Sequence, residues 1–472
     1  MSKYWLLVPL LIVYLSSLGR VGLLGPDEPR YASIGREMAR SGDWVTPRLE
    51  GSAWFEKPPL LYWTTGLGHR LHLSDEWAAR LPVALLSLAF LWFFHRTLAR
   101  EFSPRVARAA TGILATSAGW IAFSFVAVTD LPMSAALGAA MLIGVFGPSA
   151  IPSRARQTTV LGVWAGVFLG LAVLAKAFVP LVLIAPVLLI ARRMRLAMIG
   201  TCALVAAPWY ILCELQNGPA FWNDIFWKQQ VGRFLNTSLE HVQPRWYYVP
   251  ILLAGLFPWT PLAALLFRAK TFQDERIRFL TFWLLFGLLF FSAAQNKLPG
   301  YVLPLLPVLA ILLGFALDKT PAAGWWVGAC VVLLIAAPAI AALLPDALPS
   351  GIASSHFPFA RLARGWPFAL AAGGVFWLAW LGKKEQAMIA AALAALAAIG
   401  YFKLTVLPVL DQRYSVRAFW RANAPQIQAA CLKDVPRGWA YGLNYYAGRP
   451  LPECAGNQLQ VVVRDGQLQM ER

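Results

Sequence analysis

The sequence predicts an all-α polytopic membrane protein, with helices lying in the interface and a small C-terminal α/β part. Three observations carry that expectation. Only 14% of the 472 residues are charged and 58% are hydrophobic, whereas soluble domains hold about a quarter charged residues. The apolar residues run in stretches near the roughly twenty that a bilayer span needs. Lysines and arginines gather in short clusters between those stretches, as they do where basic loops stay inside a membrane. The net charge of +18 is spread through these clusters, so no nucleic-acid partner is expected.

Residues 5–18 read as a retained first span, because no small-residue cleavage site follows them. A long first loop, 20–77, comes next. Within it 28–40 and 60–71 repeat apolar residues at helical spacing with charges interleaved, which suits helices lying flat in the interface. Pro58-Pro59 opens the second of these, since proline is tolerated in a first helical turn. Spans are expected at 78–98, up to 128, 131–146, 160–174, 178–190 and up to 212. A second polar loop, 214–247, separates them from spans at 249–267, 279–291, 302–317, 325–344, 366–381 and 387–407. The total is about thirteen spans. The chain therefore divides into a membrane domain, 1–407, and a soluble tail, 408–472, in which 415–431 reads as an amphipathic helix and 438–443 and 459–464 as short strands.

With the N-terminus inside, the basic clusters at 96–108, 154–156, 192–195, 268–278, 319 and 383–384 all fall inside. The loops holding Asp27, Glu56, Asp130, Lys176, Arg233 and Lys297 then fall outside, together with the tail. The densest of them carries Gly25-Pro-Asp-Glu-Pro-Arg-Tyr31 and Trp54-Phe-Glu-Lys-Pro-Pro-Leu60, placing two acids (Asp27, Glu56) and two bases (Arg30, Lys57) in one loop. Convergent charge at a membrane surface suits an anionic lipid headgroup and a group to be attached to it.

Each of these residues also has a plainer reading. Asp27 before Glu28-Pro29 has the form of a helix cap. Glu56-Lys57 can be an exposed ion pair, which contributes only about 0–1 kcal/mol and leaves its apolar and proline flanks unexplained. Asp130 and Lys176 sit at span ends; charge at a helix centre costs about 2.5–3.5 kcal/mol, so such groups face a cavity or partner, or snorkel. Arg233 can be a surface residue or a further phosphate ligand, and Lys297 and Tyr301 are equally open. No Cys/His spacing suggests a metal, and His69 and His241 read as structural. Cys431 and Cys454 share the tail and can pair in an oxidising compartment; Cys202, Cys213 and Cys330 read as core.

Several motifs together resemble the bacterial aminoarabinose transferase (ArnT-like) family of the GT-C superfamily, related to protein O-mannosyltransferases. They are Asp27-Glu-Pro-Arg-Tyr31, Ser41-Gly-Asp-Trp-Val-Thr-Pro-Arg48, Phe55-Glu-Lys-Pro-Pro-Leu-Leu-Tyr-Trp63 and Ala79-Arg-Leu-Pro82. Thr129-Asp130, Leu174-Ala-Lys176, Arg233-Phe234, Pro258-Trp259 and Lys297-Leu-Pro-Gly-Tyr301-Val-Leu-Pro304 follow in the family's order. The resemblance covers roughly residues 1–310.

It implies a bacterial inner-membrane glycosyltransferase with its site and tail on the periplasmic face. The donor would be a sugar on a polyprenyl (undecaprenyl) phosphate and the acceptor a lipid such as lipid A or another envelope glycan, within a lipid environment. By position, Asp27 resembles the family's first-loop acid. Arg30, Lys57 and Arg233, with Tyr31 beside them, resemble ligands of the donor phosphate. Glu56, Asp130, Lys176, Lys297 and Tyr301 resemble other cavity residues. The tail is shorter than in typical members, and Lys228-Gln-Gln stands where relatives often carry a histidine, so no metal is assigned. The alternatives are a protein O-glycosyltransferase on the same scaffold and a lipid or sugar transporter. The latter would show inverted repeats, which this sequence lacks.

Overall fold

Helices dominate because lipid offers no hydrogen-bond partners, and the backbone of a spanning segment must satisfy itself. The computed structural model describes residues 7–150, 155–232, 242–268, 272–350, 355–455, 458–464 and 466–471. Among them, seven helices are long and apolar enough to cross a membrane: Asp75–Glu101, Asp130–Gly147, Thr158–Lys176, Arg195–Asn217, Glu275–Ala293, Ala323–Leu348 and a long segment within Lys384–Gln428. Val179–Ile190 and Leu305–Asp318 are shorter apolar helices. The expected span at 249–267 is broken into Tyr248–Gly255 and Thr260–Phe267, bent by 116°. Pro258 and Pro261 lie at that break, and each removes a backbone donor that a continuous helix would need. The architecture is thus the expected multi-pass helical membrane protein, with several expected spans built as short or broken helices.

Two of the spans pack unusually closely. Gly162, Gly166 and Gly170 recur at every fourth position of Ala155–Lys176 and so share one face. A side chain at Gly166 would come within 2.5 Å of the Met198 carbonyl on the neighbouring Arg195–Asn217 helix. Small residues at this spacing let membrane helices meet backbone to backbone.

The first loop folds as two helices, Asp27–Ser41 and Leu60–Arg70, joined through a two-stranded hairpin, Arg48–Leu49 with Ser52–Ala53. Asp27 and Glu28 occupy the first turn of the first helix, where acids complement the dipole, and Gly42 in the left-handed region (φ 76°) ends it. Glu28 is buried and accepts from Leu24 N, Ala127 N and, bidentately, from Arg80. Arg80 sends its other donors to the carbonyls of Leu18, Val21 and Gly22. This pair ties the start of the first-loop helix to the Asp75–Glu101 span.

The tail holds the helices Arg417–Gln428 and Arg437–Ala447 and a three-stranded sheet. In that sheet Gln460–Arg464 lies between Cys431–Leu432 (parallel) and Gln467–Glu471 (antiparallel). The strand expected at 438–443 is instead part of the Arg437–Ala447 helix. Six residues of alternation fit either period, and Trp439, Leu443 and Tyr446 at helical spacing reach the tail core beside Val416 and Val461. Cys431 and Cys454 form a disulfide, and Cys202, Cys213 and Cys330 are free and buried. The tail docks on the first loop. Arg417 donates to the carbonyls of Gly19 and Arg20 and pairs with Glu76 and Asp411. Tyr446 OH accepts from Leu23 N and donates to Glu76.

Candidate functional site

Asp27 is the first residue of its helix, with Pro26 at the cap position before it. Its carboxylate pairs with Arg30, one helical turn on, at 2.5 Å. The other loop motif comes back to the same guanidinium: Glu56 Oε2 lies 2.9 Å from Arg30 Nη2, and Lys57 Nζ lies 3.4 Å from Glu56 Oε1. Arg30 and Glu56 are almost fully enclosed (6% exposed each), while Asp27 keeps 47% of its side chain open. Tyr31 is buried against Tyr62, ring centroids 5.7 Å apart. Crowding by protein atoms pushes the Asp27 carboxyl above its ordinary range; Arg30 and Lys57 pull it back, and the like charges of Glu56 and Asp130 push it further up.

Asp130 and Lys176 form one ion pair at 2.5 Å, and the Lys176 ammonium lies 4.7 Å over the Tyr301 ring. Gly300 packs so closely on Asp130 that a Cβ there would fall 2.5 Å from Oδ1. Lys297 is buried one turn before Tyr301, with its Nζ 2.5 Å from the Ala294 carbonyl. Asp27, Arg30, Tyr31, Glu56 and Lys57 therefore form one charged cluster and Asp130, Lys176 and Tyr301 a second, near enough that the Asp130 charge bears on the Asp27 carboxyl, with Lys297 on the loop that carries Tyr301. Arg233 lies outside the described residues, as does His241. Lys228 pairs with Asp224 on an exposed face.

Sequence reasoning missed two contributors. Tyr441, from the tail helix, places its ring 5.8 Å from the Arg30 guanidinium, which also faces the rings of Tyr31 and Trp54. Arg80 and Glu28 set the helix that carries Asp27 and Arg30. The motif Ala79-Arg-Leu-Pro82 was the only signal for Arg80, and nothing local pointed to Tyr441. Arg30 Nε, Trp54 Nε1 and Tyr62 OH are buried donors with no partner among the described residues. Buried donors are rarely left so, and a multi-oxygen anion would satisfy several at once.

Fold and cluster together define a polytopic membrane protein of the GT-C type, with charged groups from its first loop gathered beside the spans. Residues 5–223 match the model of the Dolichyl-phosphate-mannose-protein mannosyltransferase family. The chain is thus similar over its first half to protein mannosyltransferases and, over a longer stretch, to bacterial aminoarabinose transferases. It is 34% identical over 318 residues to an undecaprenyl phosphate-alpha-4-amino-4-deoxy-L-arabinose arabinosyl transferase of Serratia proteamaculans, covering 64% of this chain and 56% of that protein. To the transferase of the same name from Edwardsiella ictaluri it is 33% identical over 370 residues, covering 74% of this chain and 66% of that protein. The match thus spans 56–66% of the length of these two curated relatives. The crystal structure of ArnT from Cupriavidus metallidurans bound to undecaprenyl phosphate superposes with a TM-score of 0.78 at 25% identity, covering 99% of this chain and 87% of that one.

Proposed function

We infer that this chain is a glycosyltransferase of a bacterial inner membrane that moves a sugar from undecaprenyl phosphate to an acceptor on the periplasmic side. The observation that carries this is the enclosed Arg30–Lys57 pair of cations beside unpartnered buried donors, on a fold shared with a protein whose structure holds undecaprenyl phosphate. The relatives' name makes 4-amino-4-deoxy-L-arabinose the first sugar to test.

The bond broken in such a donor joins the anomeric carbon to a phosphate oxygen. Its electrons leave on the lipid phosphate, which needs counter-charge more than a proton. Arg30 and Lys57 supply that charge where it develops, with Arg233 as a further candidate, and arginine can hold phosphate oxygens bidentately. The acceptor attacks from the opposite face, giving inversion in one displacement. The half-open Asp27, its pKa raised, is placed to take a proton from a hydroxyl acceptor or to orient an anionic one. Glu56 holds Arg30 and Lys57 together, and Asp130, Lys176 and Tyr301 supply a second set of polar groups for the sugar or the acceptor.

The deciding experiment incubates the purified full chain with undecaprenyl-phosphate-linked aminoarabinose and membrane lipids. The expected result is release of undecaprenyl phosphate and a lipid or envelope glycan heavier by one aminoarabinose. Intact donor after prolonged incubation with every envelope fraction would overturn the assignment.

A further inference from the structure

The first-loop helix and the tail helix lie side by side and run in the same direction. Gly438 lies against Gly25 and Pro26, Tyr441 against Arg30, Tyr445 against Arg36, and Gly448 beside Arg40. Between them runs a seam that begins at the polar cluster and ends in a cavity of about 210 Å³, walled by both helices and by the hairpin tip. Three arginines meet there: Arg36, Arg40 and Arg449. Arg36 is fixed, its guanidinium 4.0 Å over the Tyr445 ring and donating to the Tyr445 carbonyl at 2.6 Å. Arg449 is held by the backbone and side chain of Gln428. Among the described residues none of the three has a carboxylate within ion-pair distance. Glu37 and Glu50 face the same cavity, Glu50 accepting from Asn444 at 2.6 Å.

We propose that this cavity is a second ligand subsite, built jointly by the first loop and the tail, that takes a phosphorylated, hydroxyl-bearing glycan headgroup of the acceptor. Three guanidiniums, two from the first-loop helix and one from the tail, provide for a phosphate, whose oxygens accept only. Glu37, Glu50 and Asn444 provide for sugar hydroxyls, which a phosphate alone would not use. The cavity also lies at a useful distance. Arg36 follows Asp27 by nine helical residues, about 14 Å along the axis at 1.5 Å each, more than one sugar ring spans. A headgroup of more than one sugar could rest its phosphate here and present its other end to Asp27. This rests on the transferase assignment, but its test needs no turnover.

The test measures binding of the full-length protein in nanodiscs, without donor, to lipid A carrying its phosphates, to enzymatically dephosphorylated lipid A, and to phosphatidylglycerol. Arg40 and Arg449 are both exposed, so Arg40→Ala/Arg449→Ala should fold. The wild type is expected to prefer the phosphorylated glycolipid over both other lipids. The double variant should lose about tenfold or more of that affinity, the scale of a lost charge-assisted hydrogen bond, and Arg40→Lys/Arg449→Lys should recover part of it. Undecaprenyl phosphate binding should stay at the wild-type level. Equal wild-type affinity for phosphatidylglycerol, or unchanged affinity in the double variant, would overturn the subsite and leave the donor chemistry untouched. A protein that binds the phosphorylated glycolipid in this pattern but never cleaves donor would instead count against the transferase assignment alone.

Discussion

Arg80→Met should be among the most damaging single changes in this protein, although Arg80 touches no proposed ligand. Arg80 spends all five of its N–H donors within the fold: two on Glu28 at 2.8 and 2.6 Å, and three on the carbonyls of Leu18, Val21 and Gly22 at 2.6–2.9 Å. Both partners of the ion pair are enclosed, 3% and 1% exposed. Methionine keeps the apolar stem but leaves the Glu28 carboxylate buried with only two backbone N–H donors, a situation that costs about 3–5 kcal/mol. Glu28→Gln strands Arg80 in the mirror sense and should cost a similar amount. Because the penalty in each single variant is the stranded charge, Glu28→Gln/Arg80→Met should cost less than the sum of the two by at least about 1.5 kcal/mol. Thermal unfolding in detergent, read by intrinsic tryptophan fluorescence, would report each single variant as a drop of roughly 3–5 °C. Undecaprenyl phosphate binding should weaken too, since the pair holds the helix that carries Arg30. Strictly additive losses, or an Arg80→Met protein as stable as wild type, would refute the reasoning.

Other outcomes follow from the same geometry. Lys57→Ala should abolish turnover while leaving a folded, membrane-inserted protein; near-wild-type turnover would remove Lys57 from the mechanism. Asp27, held above its ordinary range, takes up a proton at a higher pH than a free carboxyl, and only its charged form can act. Turnover should therefore fall as pH drops through that raised value, and Asp27→Asn should be slow and show no such acidic limb. Gly300→Ala would force a methyl to within 2.5 Å of Asp130 Oδ1, so the Lys176 pair must shift; turnover should drop at least about tenfold with little change in melting temperature. Removing the Cys431–Cys454 link, which closes a separation of 23 residues, should cost the tail about 3 kcal/mol. Proteolysis should then cut within 415–471 while the membrane helices stay intact.

The spans and the first-loop cluster were legible because both are local. A hydropathy run shows itself within twenty residues, and Asp27, Arg30, Glu56 and Lys57 sit in two short motifs of one loop. The ends of the first-loop helix, near 28 and 40, could be read because glycine and the prolines mark them. Asp130 and Lys176 were individually ambiguous, since a charge at a span end snorkels as readily as it pairs; only the packing of Ala155–Lys176 beside Asp130–Ala150 resolves that. Tyr441 had no signal at all, because its contact with Arg30 joins residues more than 400 apart and an exposed-looking tyrosine has no local pattern. The tail helix was misread as a strand for a related reason. Gly-Trp-Ala-Tyr-Gly-Leu alternates, and the core residues that choose between periods lie in other segments. The broken span at 249–267 shows the opposite limit: composition qualifies it as a crossing, but two prolines bend the backbone away.

The loop that leaves the first helix finds its last partners near the other end of the polypeptide. Arg417 closes on the carbonyls of Gly19 and Arg20 across 398 and 397 residues, and Lys403 clasps those of Val13 and Ser16 across 390 and 387. At ribosomal speeds of about 5–20 residues per second, the opening segment waits roughly 20–80 s for those partners to be made. Until then Arg30 lacks one of its aromatic neighbours and the arginine-lined cavity lacks a wall. A chain terminated before residue 403 could insert its early helices and still carry an unfinished first loop, so the opening segment reaches its final form only once residues 403–449 have been made.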